Sequence, residues 1–171
     1  MQILFTETEI AEAVDRMAGE IAAELPADAV IAPILTGAFV FAADLARGLA
    51  KRGRLWELDF LHLSSYGSAR QSSGEVRIVK DLSGDVRGKT VLLLDDVLDS
   101  GRSLTFAAAL MRERGAADVK IAVMADKSAG RALDISADFI GFRAPPDAFL
   151  VGYGMDDAGR ARGYPDIRRI D

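Results

Sequence analysis

Asp95, Asp96, Asp99, Ser100, Gly101, Arg102 and Ser103 crowd three carboxylates, two hydroxyls, a glycine and a guanidinium into the stretch VLLLDDVLDSGRS. Apolar Val91 to Leu94 precede them, and Leu104, Ala107, Ala108 and Met111 follow at helical spacing. The pattern predicts a buried parallel strand, a tight turn at Gly101 and a helix. Ligands of open α/β sheets bind beyond the carboxyl ends of the strands. The first-turn amides and dipole of the next helix favour an anion there. Ser100 and Ser103 add hydroxyl donors, and glycine permits the close backbone approach a phosphate needs. Three carboxylates beside that cradle would repel a bare phosphate. A sugar phosphate, with phosphate at one end and hydroxyls or Mg²⁺ at the other, suits both halves. An acidic strand end before a capped helix, with Asp99 as the N-cap, is the lesser reading of the same stretch.

The elements that must position these residues are legible around them. Thr6 and Glu9 have capping-box spacing, and Ile10, Val14, Met17, Ile21 and Leu25 continue as one helical face up to Pro26. Ala29 to Leu35 is an apolar run followed by Thr36 and Gly37, then by helical spacing from Phe39 to Leu49. That is a second strand, turn and helix, whose turn could flank the same ligand. Arg54 to Leu63 alternates and predicts a strand with its better-buried face along Trp56, Leu58 and Phe60. His62, the single histidine, continues that face as a structural residue. With no cysteine or second histidine, a zinc site is not expected. Ser64 to Glu75 is rich in serine and glycine, which predicts a mobile loop at the tip of a long hairpin. Val119 to Met124, Phe139 to Phe142 and Phe149 to Tyr153 read as further strands.

At 171 residues the chain suits one domain, residues 1–171, with a sizeable core. A net charge of −5 carries no electrostatic footprint for nucleic acid or an anionic membrane, and the absence of cysteine suits a reducing compartment. No signal peptide or membrane-length apolar run is visible, so a cytoplasmic protein is expected.

LLLDDVLDSGRS resembles the phosphoribosyl-pyrophosphate (PRPP) signature of type I phosphoribosyltransferases. The similarity extends through ILTGAFVFAADLAR, DFLHLSSYG, SSGEVRIVKDLSGDVRGK and ADFIGFRAPPDAFLVGYGMDD, in family order from Ile31 to Pro165. These stretches narrow it to the hypoxanthine-guanine phosphoribosyltransferases. The resemblance implies an α/β fold with a central, mostly parallel sheet flanked by helices, a small hood from the terminal segments and a flexible closing loop. It implies Mg²⁺-dependent purine salvage: PRPP and a 6-oxopurine give a purine nucleotide and pyrophosphate.

Roles follow from the same resemblance. Asp99, Ser100, Gly101, Arg102 and Ser103 correspond to the 5′-phosphate cradle, with Asp99 also the acid/base group at purine N7. Asp95 and Asp96 face the ribose and Mg²⁺. Thr36, Gly37 and Arg162 hold pyrophosphate, at a turn that carries a non-proline cis peptide in the family, here between Leu35 and Thr36. Lys127 donates to the purine O6, Phe149 stacks on the base, Leu150 meets its edge, and Asp156 holds a second Mg²⁺ and lies near the base's 2-position. Ser65 and Tyr66 belong to the closing loop. A homodimer or homotetramer is the family expectation. Three positions depart from the usual pattern: Thr36 replaces a common Lys, Asp95 a common Glu, and Arg102 a common Lys. A xanthine-preferring enzyme and a non-catalytic PRPP- or nucleotide-sensing regulator, binding RNA on the same fold, stay open as alternatives. The regulator would need a basic surface. A receiver-type signalling domain is disfavoured, because too much chain precedes the paired acids.

Overall fold

The computed structural model describes residues 1–68, 71–127 and 133–170, with side chains at those positions outside 66–74. Helix α1 (Glu7–Glu24) begins at the expected capping box: the Thr6 side chain accepts from the Glu9 amide, and Glu9 accepts from the Thr6 amide at 2.8 Å. Its apolar stripe, from Ile10 to Ile21, is buried. Strand β1 (Gln2–Phe5) precedes it, and β2 (Val30–Leu35) and helix α2 (Phe39–Ala50) follow. Next come β3 (Glu57–Leu58), β4 (Leu61–Ser68), β5 (Gln71–Lys80), β6 (Thr90–Leu98), helix α3 (Arg102–Glu113), β7 (Asp118–Asp126), β8 (Phe139–Arg143), β9 (Phe149–Val151) and β10 (Ile167–Ile170).

One sheet runs in the order β5-β4-β2-β6-β7-β8, with β3 also paired to β2. Only the β4–β5 pair in it is antiparallel. Parallel strands buried on both faces need continuous apolar runs, which is what Val91 to Leu94 supply. Leu92 and Leu94 pack under α1 and α2, while Val91 and Leu93 pack under α3. Full burial of one such leucine is worth about 1.5–3 kcal/mol. The chain ends form a second sheet, β1-β10-β9, all antiparallel. The expected sheet and hood are thus both present. No helix among the described residues is long and apolar enough to cross a membrane.

Three expectations are corrected. The segment 54–63 is not one strand: β3 has two residues, and Leu55 and Leu58 are exposed while Leu61 and Leu63 are buried. Strand pairing lapses at Asp59 and Phe60 without a change of register: Ile31 pairs with Leu58 and Ile34 with Leu61. Most of Ser64 to Glu75 is hairpin strand rather than loop, since backbone pairing such as Gly67 with Ser72 needs no apolar side chains. β6 does not stop at the acids; β7 pairs with it to Leu98.

Candidate active site

Neighbouring residues of a strand point to opposite faces, so Asp95 and Asp96 open onto different spaces. Asp95, Val97 and Leu98 to Leu104 line a cavity of about 80 Å³ where β6 meets α3. Asp96 joins Val97, Asp99, Lys127, Phe149, Leu150, Met155 and Asp156 around one of about 220 Å³. Val97 and Asp99 line both, which makes them halves of one cleft between the main sheet and the hood.

Burial and the charge of Asp96 push the Asp95 carboxyl well above the usual range. Burial also raises Asp96, offset in part by hydrogen bonds from Asp95 and the Val97 amide and by the charge of Arg162. The Asp95 carboxylate accepts from the Asp96 amide at 3.0 Å, and Asp96 from the Val97 amide at 2.7 Å.

In the smaller cavity α3 starts at Gly101, whose φ of 81° is in the left-handed region, with no side-chain cap. Asp99 is therefore not the N-cap. It reaches instead to Lys127, whose Nζ donates to Asp99 Oδ2 at 2.8 Å. Lys127 follows β7, and its amide donates to the Leu98 carbonyl at 3.0 Å, so pairing of β6 and β7 brings the two side chains together. α2 likewise starts without a side-chain cap, whereas α1, away from the cleft, is capped. At the start of α3 the Arg102 amide donates to Ser100 Oγ at 3.4 Å, and at the start of α2 the Phe39 amide donates to the Thr36 carbonyl at 3.2 Å; the dipole of each helix still favours an anion at that end.

The Leu35–Thr36 peptide is cis, as expected, and Thr36 is exposed. Gly37 is pressed so closely on the Asp96 carboxylate that a Cβ would collide with it. On its other side, a Cβ on Gly154 would strike the Gly37 carbonyl. Arg162 Nη1 donates to the Gly154 carbonyl at 2.6 Å, and Nη2 pairs with Asp156 Oδ1 at 2.8 Å. Asp156 Oδ2 accepts from the Gly159 amide at 2.6 Å.

Asp95, Asp96, Asp99 to Ser103, Lys127, Phe149, Leu150 and Asp156 thus gather in the cleft, with Gly37 and Arg162 at its rim. Ser65 is exposed on β4 and lines neither half of the cleft; the Tyr66 side chain lies outside the described residues. Sequence reasoning missed Val97 and Met155 as lining residues and Gly154 as a packing partner; the Gly-Tyr-Gly triplet at 152–154 was the available signal. A larger cavity, of about 580 Å³, lies between α1, α2 and residues 162–165. None of Asp95, Asp96, Asp99 and Lys127 lines it, so size alone does not mark the chemistry.

Among the described residues no three His, Cys, Asp or Glu side chains converge into a closed cage. Two adjacent, half-buried carboxylates raised in pKa do call for positive charge, and one or two carboxylates completed by substrate oxygens and water are the usual Mg²⁺ set. The residues fit the ion.

The chain matches the family model described as phosphoribosyl transferase domain over residues 3–158. It is 42% identical over 167 residues to a hypoxanthine-guanine phosphoribosyltransferase of Bacillus subtilis, spanning 97% of this chain and 91% of the relative. Identity to a hypoxanthine phosphoribosyltransferase of Escherichia coli is 35% over 173 residues, spanning 99% and 95%. The solved hypoxanthine phosphoribosyltransferase of Trypanosoma cruzi in complex with the product IMP has a TM-score of 0.90 and 33% identity, covering 100% of this chain and 94% of that one.

Proposed function

We infer that this chain, which belongs to the phosphoribosyltransferase family, moves the 5-phosphoribosyl group of PRPP to N9 of hypoxanthine or guanine, giving IMP or GMP and pyrophosphate. The observation that carries the reading is one cleft with two halves that share Asp99: an uncapped helix start on one side, and Lys127 with Phe149 and Leu150 on the other. In this reading the 5′-phosphate sits on the amides and hydroxyls of Asp99 to Ser103. The base lies on Phe149, with its edge at Leu150. Lys127 donates to O6 and Asp99 handles the proton at N7, two groups on one edge of the purine served by two side chains already paired at 2.8 Å. An amino group at C6 offers Lys127 no acceptor, which rejects adenine.

Asp95 and Asp96 take the ribose side, and Asp95, Asp96 and Asp156 would hold Mg²⁺. When bound, that ion supplies charge neutralisation for the departing pyrophosphate. The residues at Thr36 and Gly37, with Arg162, bind the leaving group as the C1′–oxygen bond breaks and the N9–C1′ bond forms. Holding both reactants in line is most of the catalysis. The β4–β5 hairpin, with Ser65 and Tyr66, is the element assigned to close over the cleft and exclude water. Residues 1–171 act as one domain, in the cytoplasm, as a homodimer or homotetramer.

A base panel tests this. Purified protein with PRPP and Mg²⁺ is given hypoxanthine, guanine, xanthine, adenine or uracil, and nucleotide formation is followed. Turnover of 6-oxopurines, absent with adenine and abolished by a chelator, is the expected result. No turnover with any base, alongside measurable PRPP binding, would replace the enzyme with a ligand-sensing regulator.

A further inference from the structure

Tyr153 has no part in the chemistry described so far, yet it is 4% exposed and its hydroxyl donates to Asp44 Oδ2 of α2 at 2.7 Å. It sits at the tip of a tight turn. The Gly152 and Met155 amides and carbonyls pair reciprocally at 3.0 Å, and Tyr153 and Gly154 both have positive φ, 49° and 99°. A tyrosine in that conformation is uncommon and is held there by its surroundings. The Tyr153 amide donates to the Tyr164 carbonyl at 2.9 Å, and the Gly154 amide to the Arg162 carbonyl at 3.0 Å. The same tip lies on the Gly37 carbonyl, with Gly37 in turn lying on Asp96.

Two segments assigned to pyrophosphate therefore meet here. One is the Leu35–Ala38 turn, which leads directly into α2 and Asp44. The other is the hood segment carrying Asp156 and Arg162. Their contact at Gly37 and Gly154 is backbone on backbone, which sets a distance of closest approach but contributes no directional bond. We propose that the Tyr153–Asp44 hydrogen bond is the strut that holds the hood turn on α2, making Tyr153 and Asp44 positioning residues for pyrophosphate and hence for PRPP. Burial and the Asp44 carboxylate keep the Tyr153 phenol protonated, well above its usual range, so it remains a donor at working pH. Phenol to carboxylate is a charge-assisted bond, stronger and more directional than a neutral one. Arg47, one turn along α2, pairs with the other Asp44 oxygen and fixes its carboxylate.

The proposal rests on the reading that this turn and Arg162 bind pyrophosphate. Its test is steady-state kinetics with both substrates, alongside melting temperature, on Y153F, D44L, D44N and Y153F/D44L. Loss of one bond to a charged group should raise KM for PRPP about tenfold or more in Y153F and in D44L, with KM for hypoxanthine unchanged. The double variant should be no worse than either single one. D44N keeps a neutral acceptor for the phenol and should fall between the unsubstituted enzyme and D44L. A lowered melting temperature with unaltered kinetic constants, additive losses, or equal rises in KM for both substrates would overturn it. Should Y153F not fold, D44L against D44N reads the same bond. An unsubstituted protein without PRPP-dependent turnover removes the function and this inference together. Normal turnover in both Y153F and D44L removes the inference alone.

Discussion

Asp95 and Asp96 oppose the stability of the protein that carries them. A carboxyl whose folded pKa is raised binds more protons folded than unfolded. Stability then falls as pH climbs from the unfolded value, about 3.9 for Asp, through the raised folded value. The lowered groups Asp59 and Asp166 act below that window, where falling pH costs stability. The D95N variant should therefore be more stable than the unsubstituted, metal-free protein at pH 7, and by less at pH 5. It should lose most Mg²⁺-dependent turnover. Urea unfolding at pH 5 and pH 7 checks this, and an equal stability difference at both pH values would contradict it. Gly37 makes a second residue-scale case. Its Cβ position coincides with the Asp96 carboxylate, so G37A must push that side chain aside. Misplacement by about 1 Å costs on the order of 100-fold. A fall of that size in kcat/KM for PRPP is expected, with little change in melting temperature because a side-chain end can yield. Unchanged kinetics would show that Asp96 is not where the substrate needs it.

At the scale of elements, α1 is capped by a side chain whereas α2 and α3 are not, and the proposed phosphate contacts fall on those two ends. Gly101 starts α3 with φ of 81°, a conformation that costs other residues roughly 1–2 kcal/mol. The G101A variant should lose about that much stability and bind PRPP more weakly, while its KM for hypoxanthine holds. Urea unfolding and two-substrate kinetics read both effects; an equal loss for both substrates would move the phosphate away from α3. The same scale explains what the sequence showed. β2, β6 and β7 are parallel and buried on both faces, so their apolar runs stand out. β1 and β10 have four residues each, and β10 is IRRI, with two arginines; nothing in their pattern announces a strand until each finds the other. The β4–β5 hairpin is polar where an edge needs no core, and it read as loop. Within the cleft, the contiguous run from Asp95 to Ser103 was legible because one strand, turn and helix hold all of it. The Lys127–Asp99 pair joins residues 28 apart, and the Gly154–Gly37 contact joins β2's turn to the hood. Such contacts depend on tertiary packing, which spacing along the chain does not encode; only the family resemblance pointed to Lys127.

At the scale of the molecule, the cleft is the seam between two sheets. The large sheet carries Asp95, Asp96, Asp99 and Lys127, and the hood carries Phe149 and Leu150, with Asp156 and Arg162 on the segment that joins β9 to β10. A nucleotide product would touch both sides, phosphate on α3 and base on β9. It should then tighten the hood as a unit: Leu150 pairs with Arg169, and Arg169 with Gln2. β1 should respond although it lines neither half of the cleft. Ligand at 100 times its Kd adds about 2.7 kcal/mol, and about 2–4 °C per kcal/mol for a chain of this size gives a rise of roughly 5–10 °C in Tm. Amide exchange with and without IMP should slow at α3 and across β9, β10 and β1 together. Inorganic phosphate should slow α3 alone, because it cannot reach the hood. Slowing by IMP confined to α3 would mean that the base does not rest on Phe149 and Leu150. The division of the cleft between the two sheets would then have to be redrawn around the phosphate.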